Sequence, residues 1–62
     1  MIHELSLKEV ADVTGFDTVS EMIEEYAFDS VVPSCCSENC EVEPDGVCSH
    51  GHNSILVVFG II

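Results

Sequence analysis

The apolar residues change their spacing twice along the chain. Val19, Met22, Ile23 and Tyr26 recur at i, i+3, i+4 and i+7, the spacing of one helix face, while Glu21, Glu24 and Glu25 fall elsewhere. Upstream, Ser6-Leu7-Lys8-Glu9 fits a capping box, in which the hydroxyl of Ser6 and the carboxylate of Glu9 each satisfy the other's free amide. Leu5 stands where it can staple onto Val10, and Gly15 stands where a helix can close in the left-handed conformation. Thr18-Val19-Ser20-Glu21 repeats the box before the second helix. Phe16 and Phe28 are expected to join the core these two helices share.

The period is lost at Asp29-Ser30-Val31-Val32-Pro33. Pro33 disfavours helix at the residue before it, so the chain continues extended. From Ser54 to Ile62 the residues are largely apolar and β-branched, which predicts a strand buried on both faces. Its bare edge would invite aggregation unless the helices covered it.

Between these regions lies CCSENCEVEPDGVCSHGH, residues 35 to 52. Glu41-Val42-Glu43 reads as a short strand, and Pro44-Asp45-Gly46 supplies a turn: proline presets φ, aspartate bonds the backbone and glycine takes positive φ. A hairpin of this length returns Cys48 to the neighbourhood of Cys40, and Cys36 can curl onto the same point. Zinc takes four tetrahedral thiolate or imidazole ligands, and Cys36, Cys40 and Cys48 supply three. His50 is favoured as the fourth because Gly51 follows it, where a metal-binding knuckle turns. His52 is the alternative, its Cys-x3-His spacing matching that from Cys36 to Cys40. Side chains of adjacent cysteines diverge, so Cys35 reads as a small buried apolar residue, and as the less favoured substitute for Cys36. His3 has no partner in sequence and reads as plain surface.

Composition narrows the chemistry. Sixty-two residues make one small domain, of a size that often needs a disulfide or a metal. With 47% hydrophobic residues a core is feasible. Twelve acids stand against Lys8 alone, a net charge of -11. Phosphate backbones and anionic membranes are bound by Lys and Arg, so direct nucleic-acid or membrane binding is not expected. The charge serves as solvated surface, and its natural complement is a basic protein. The N-terminus lacks the basic start and apolar run of a signal peptide, and the terminal apolar stretch is too short to span a bilayer. A cytoplasmic, reducing location is therefore expected, where clustered cysteines favour metal over disulfides. A nucleophilic thiol would need an electropositive pocket that the composition does not supply. A zinc hydrolase would need an open coordination position, with Glu43 or Asp45 as base, and a substrate pocket for which 62 residues leave little room. The weight falls on one closed, structural zinc ion and no enzymatic activity. Storage, sensing or transfer of zinc is the alternative.

The order of motifs resembles that of short zinc-ribbon-like proteins of unknown role found in bacterial and phage genomes. The matching pieces are Asp29 to Pro33, Cys36, Cys40, Glu43-Pro44-Asp45, Gly46-Val47-Cys48, His50-Gly51 and the apolar tail from Ser54. Asn53 departs from the pattern, which tends to have a proline before the serine. The resemblance implies a fold and a metal, supports His50 as a ligand, and implies no activity. The expectation is a single α+β domain over residues 1–62. Its helical part covers about 5–29. A zinc ribbon and a central C-terminal strand cover about 31–62. The domain would act by binding a basic protein, as a regulatory or host-takeover factor.

Overall fold

The computed structural model describes residues 1–62 as three helices around one two-stranded sheet. Helix α1, Leu7–Thr14, starts where its capping box predicts. The Glu9 amide donates to Ser6 Oγ at 3.1 Å, and the Ser6 amide donates to Glu9 Oε1 at 2.9 Å. Gly15, at φ 91°, ends it with its amide bonded to the carbonyls of Ala11 and Asp12. Helix α2, Val19–Tyr26, begins at Thr18, whose hydroxyl accepts from the Glu21 amide at 3.1 Å. Only this half of the second box is made.

The two helices bury Val10, Ala11, Met22 and Ile23 against Val32, Cys35, Ile55 and Leu56. Leu5, Val19 and Tyr26 pack at the margin. Phe16 joins them edge-on to Tyr26, with ring centroids 5.9 Å apart. Phe28 does not: it is 96% exposed, because α2 ends before it and a turn carries it away from the core.

The structure is α+β, but its C-terminal element corrects the expected strand. Residues Ile55–Phe59 form helix α3. Ser54 Oγ accepts from the Val57 amide at 3.2 Å, and Gly60, at φ 101°, closes the other end with a bond to the Leu56 carbonyl. Adjacent Ile55 and Leu56 are both buried while adjacent Val58 and Phe59 are both exposed. Neither the alternation of a half-buried strand nor the continuous burial of a central one gives that pattern. Five residues are too few to hold a helix by propensity. Packing against α1, α2 and the sheet holds it.

Strands β1, Val32–Pro33, and β2, Glu41–Val42, pair antiparallel with Val32 opposite Val42 and Pro33 opposite Glu41. The expected hairpin placed β2 against the segment leading into Cys48. The turn over Glu43–Gly46 is present, its Gly46 amide bonded to the Glu43 carbonyl at 2.8 Å, but Gly46 does not take the expected positive φ; a Cβ there would instead stand 3.2 Å from the Glu43 carbonyl oxygen. Yet the returning segment closes on itself through a bridge between Val47 and Asn53. The chain before the cysteines, which alone carries buried Val32, takes the pairing position instead. No helix is long and apolar enough to cross a membrane.

Candidate metal centre

Three short segments meet at the cysteine cluster. Strand β1 ends at Pro33, and the chain bends at Cys35, between the bridges of Ser34 with Ser54 and of Cys36 with Glu4. Cys35 falls on the core side and is fully buried among apolar residues. Its backbone is held from both flanks: its amide donates to the Asn53 carbonyl at 2.9 Å, and its carbonyl accepts from Leu5 at 2.8 Å. Cys36 stands outside that apolar cluster, beside the other sulfurs. A turn closed by the Asn39 amide on the Cys36 carbonyl (3.0 Å) then leads to Cys40. Asn39 takes φ 57°, a conformation asparagine tolerates better than most residues.

The third sulfur comes from the far side of the Glu43–Gly46 turn. The Cys48 amide donates to the His52 carbonyl, and the Gly51 amide to the Cys48 carbonyl, both at 2.9 Å. This tight loop needs Gly51 at φ 85°, where a side chain is strained. It directs the His50 amide at Cys48 Sγ, 3.4 Å away. It also brings His50 Nδ1 to 3.3 Å from Cys36 Sγ and 3.4 Å from Cys40 Sγ. The ligand atoms of Cys36, Cys40, Cys48 and His50 all lie within 4.8 Å of one another. Cys36 and Cys48 are buried, Cys40 is half-buried, and His50 is exposed.

This donor set fits a metal ion. Around a tetrahedral ion about 2.3 Å from sulfur and about 2.0–2.1 Å from nitrogen, ligand atoms stand roughly 3.5–3.8 Å apart, close to the spacing here. The electrostatics agree. Burial pushes the Cys48 thiol up, but the backbone amides of His52 and His50, then side-chain bonds from Cys36 and Ser34, outweigh it and hold the thiol at about 6. Cys40 is pushed up to about 11, first by lost solvation and then by the neighbouring sulfurs of Cys36 and Cys48. Sulfurs this close oppose one another's ionisation unless a cation stands between them. Cys35 is also pushed to about 11, chiefly by burial and secondarily by Glu4, as suits a thiol packed as an apolar group. All four cysteines are free thiols.

His52 is half-buried and stands outside the four-atom group; its Nδ1 is buried without a hydrogen-bond partner. Glu43 and Asp45 are exposed and also lie outside that group. Two supports are not evident from the spacing of ligands. Ser34, buried beside the cysteines, bonds the Cys40 carbonyl through both its amide (2.9 Å) and its hydroxyl (2.8 Å). The exposed His3 is a backbone strut: its amide donates to Ser37 Oγ at 2.9 Å and its carbonyl accepts from the Ser37 amide at 3.0 Å. The only signal for Ser34 was a hydroxyl preceding a cysteine in apolar surroundings, and for His3 there was none.

The chain thus has helices, a short antiparallel pair and a Cys/His cluster close enough to bind a metal. Comparison with known proteins finds no matching family, no matching curated protein and no matching solved structure.

Proposed function

We propose that this protein is a small zinc-binding module. Cys36, Cys40, Cys48 and His50 hold one Zn²⁺ whose role is structural, and the folded module acts by binding a basic protein, in a regulatory or host-takeover role. The convergence of three sulfurs and His50 Nδ1 within 4.8 Å carries the reading. Three thiolates and an imidazole suit zinc. They complete a tetrahedral shell, so no coordination position is assigned to water and no catalytic step is assigned to the protein. The ion ties the Cys36–Cys40 turn to the Cys48–Gly51 loop. Net charge supports the partner: at -11, the surface complements a basic protein far better than nucleic acid or an anionic membrane. Membership of the zinc-ribbon-like group belongs to the same proposal.

Native mass spectrometry with and without a chelator tests the metal: one zinc per chain is expected, and a metal-free chain with disulfides would overturn the reading. X-ray absorption at the zinc edge should show three sulfurs and one nitrogen. A second reading, zinc storage or transfer, is favoured by the exposure of His50, which leaves the ion reachable from solvent. Release to a chromophoric chelator within seconds would select it, and retention over hours would select the structural role.

A further inference from the structure

Phe28 is the most exposed aromatic side chain of the protein, at 96%, and it is not on a loose segment. Helix α2 ends at Tyr26, Ala27 keeps helical backbone angles, and the Asp29 amide donates to the Tyr26 carbonyl at 3.1 Å. That turn fixes the backbone around Phe28. Val32, four residues on, is fully buried in β1, so the segment is anchored at both ends. A large apolar ring held in water on an anchored turn stabilises nothing inside the molecule. It can bury its area against a partner with little further loss of backbone freedom. Val31, three residues on, is also exposed, at 51%.

The charge around the ring is of one sign. Glu24 and Glu25 end the solvent face of α2 one turn before Phe28, and Asp29 follows it; all three are exposed. No basic residue lies near in sequence, and Lys8, the single cation among the side chains, is paired with Asp12 at 3.0 Å. This rim disfavours a second copy of the same acidic surface and an anionic membrane alike. It complements a surface that is apolar at its centre and basic at its edge.

We propose that Phe28, rimmed by Glu24, Glu25 and Asp29, is the anchor of a docking site for a basic amphipathic helix of a partner protein. This site deepens the partner-binding half of the proposed function and is independent of the zinc half. Phe28 enters the apolar stripe of the helix, and the three carboxylates face Lys or Arg on its flanks. Truncating such an anchor costs binding far more than removing a peripheral contact does.

The test is a fluorescence-anisotropy titration of a labelled 14-residue Leu/Lys amphipathic peptide with the zinc-loaded full chain. Phe28→Ala should weaken binding about tenfold or more, the loss expected of an aromatic anchor. Combining Glu24→Gln, Glu25→Gln and Asp29→Asn should weaken it and flatten its dependence on salt, since exposed charges are screened over about 10 Å at 0.1 M. A Ser/Lys peptide of equal charge should bind the wild type no better than the Leu/Lys peptide binds Phe28→Ala. Equal affinity of Phe28→Ala and wild type overturns the proposal. So does a greater loss with Phe59→Ala, which would move the anchor to α3, or concentration-dependent self-association abolished by Phe28→Ala. Circular dichroism and zinc stoichiometry of each variant, expected unchanged, separate failure of the docking site from failure of the metal site.

Discussion

Removing the metal should unfold the cysteine half of the protein, and its magnitude can be set against the rest of the fold. Eight residues form the buried core cluster, and they belong to the three helices, Val32 and Cys35. The region from Cys36 to Asn53 adds to burial only Cys36 and Cys48, both proposed ligands. Its regular structure is one two-residue strand and two isolated bridges, Cys36 with Glu4 and Val47 with Asn53. A 62-residue domain has a total stability of about 3–9 kcal/mol at the usual per-residue value. Structural zinc contributes about 10–16 kcal/mol of apparent binding free energy in small zinc domains. The second figure exceeds the first, so the reduced, metal-free chain should lose cooperative folding and not merely melt earlier. Two-dimensional NMR of zinc-loaded and chelated, reduced protein checks this. Amides of residues 36–53 should collapse to random-coil positions on chelation and return when zinc is added back. Cys48→Ser should behave as the chelated wild type does. A reduced, metal-free chain with a dispersed spectrum and an unchanged cooperative melt would refute the structural role of the ion.

Further outcomes concern the scaffold, each measured on zinc-loaded protein. Leu56→Ala should cost about 2–5 kcal/mol in urea unfolding, because a side chain 1% exposed leaves a cavity. Val58→Ala, 42% exposed, should cost within about 0.5 kcal/mol; equal costs would contradict the helical placement of α3. Gly51→Ala should cost about 1–2 kcal/mol from its positive φ and speed zinc loss to a chelator. Ser6→Ala should cost about 1 kcal/mol as a lost cap. Bonds from the Ser6 amide and then its hydroxyl hold the Glu9 carboxyl below its ordinary 4.5. That stabilisation is fully present above pH 4.5 and is lost as pH falls through the folded value. Glu9→Gln should therefore flatten the acid limb of a stability–pH curve; an unchanged limb would show the box to be energetically idle.

What the sequence determined by itself is local. Ser6, Glu9, Gly15 and Thr18 act within a few residues of themselves, so their chemistry placed α1 and α2 correctly. The place of the Pro44-Asp45-Gly46 turn was legible for the same reason, though not the backbone angle of Gly46, and so was the divergence of the adjacent Cys35 and Cys36. The gathering of Cys36, Cys40, Cys48 and His50 followed from spacing plus that turn. Tertiary structure decided the rest, wherever a residue had two locally acceptable states. Ile55–Phe59 carries strand-forming residues, yet Ser54 and Gly60 also make good caps. Ser54 joins the helix to the metal-side turn by donating to the Pro44 carbonyl through its hydroxyl and to the Gly46 carbonyl through its amide. Those acceptors lie about ten positions away, and they tip the segment to helix only once the turn is in place. β2 likewise pairs with β1 because Val32 brings burial that the Val47 segment, exposed at 56%, does not. Phe28 was expected inside because it is apolar, but only the exit angle of α2 decides which way it faces. Periodicity and capping are short-range and can be read along a chain; competition between distant partners for one burial site is resolved only in three dimensions.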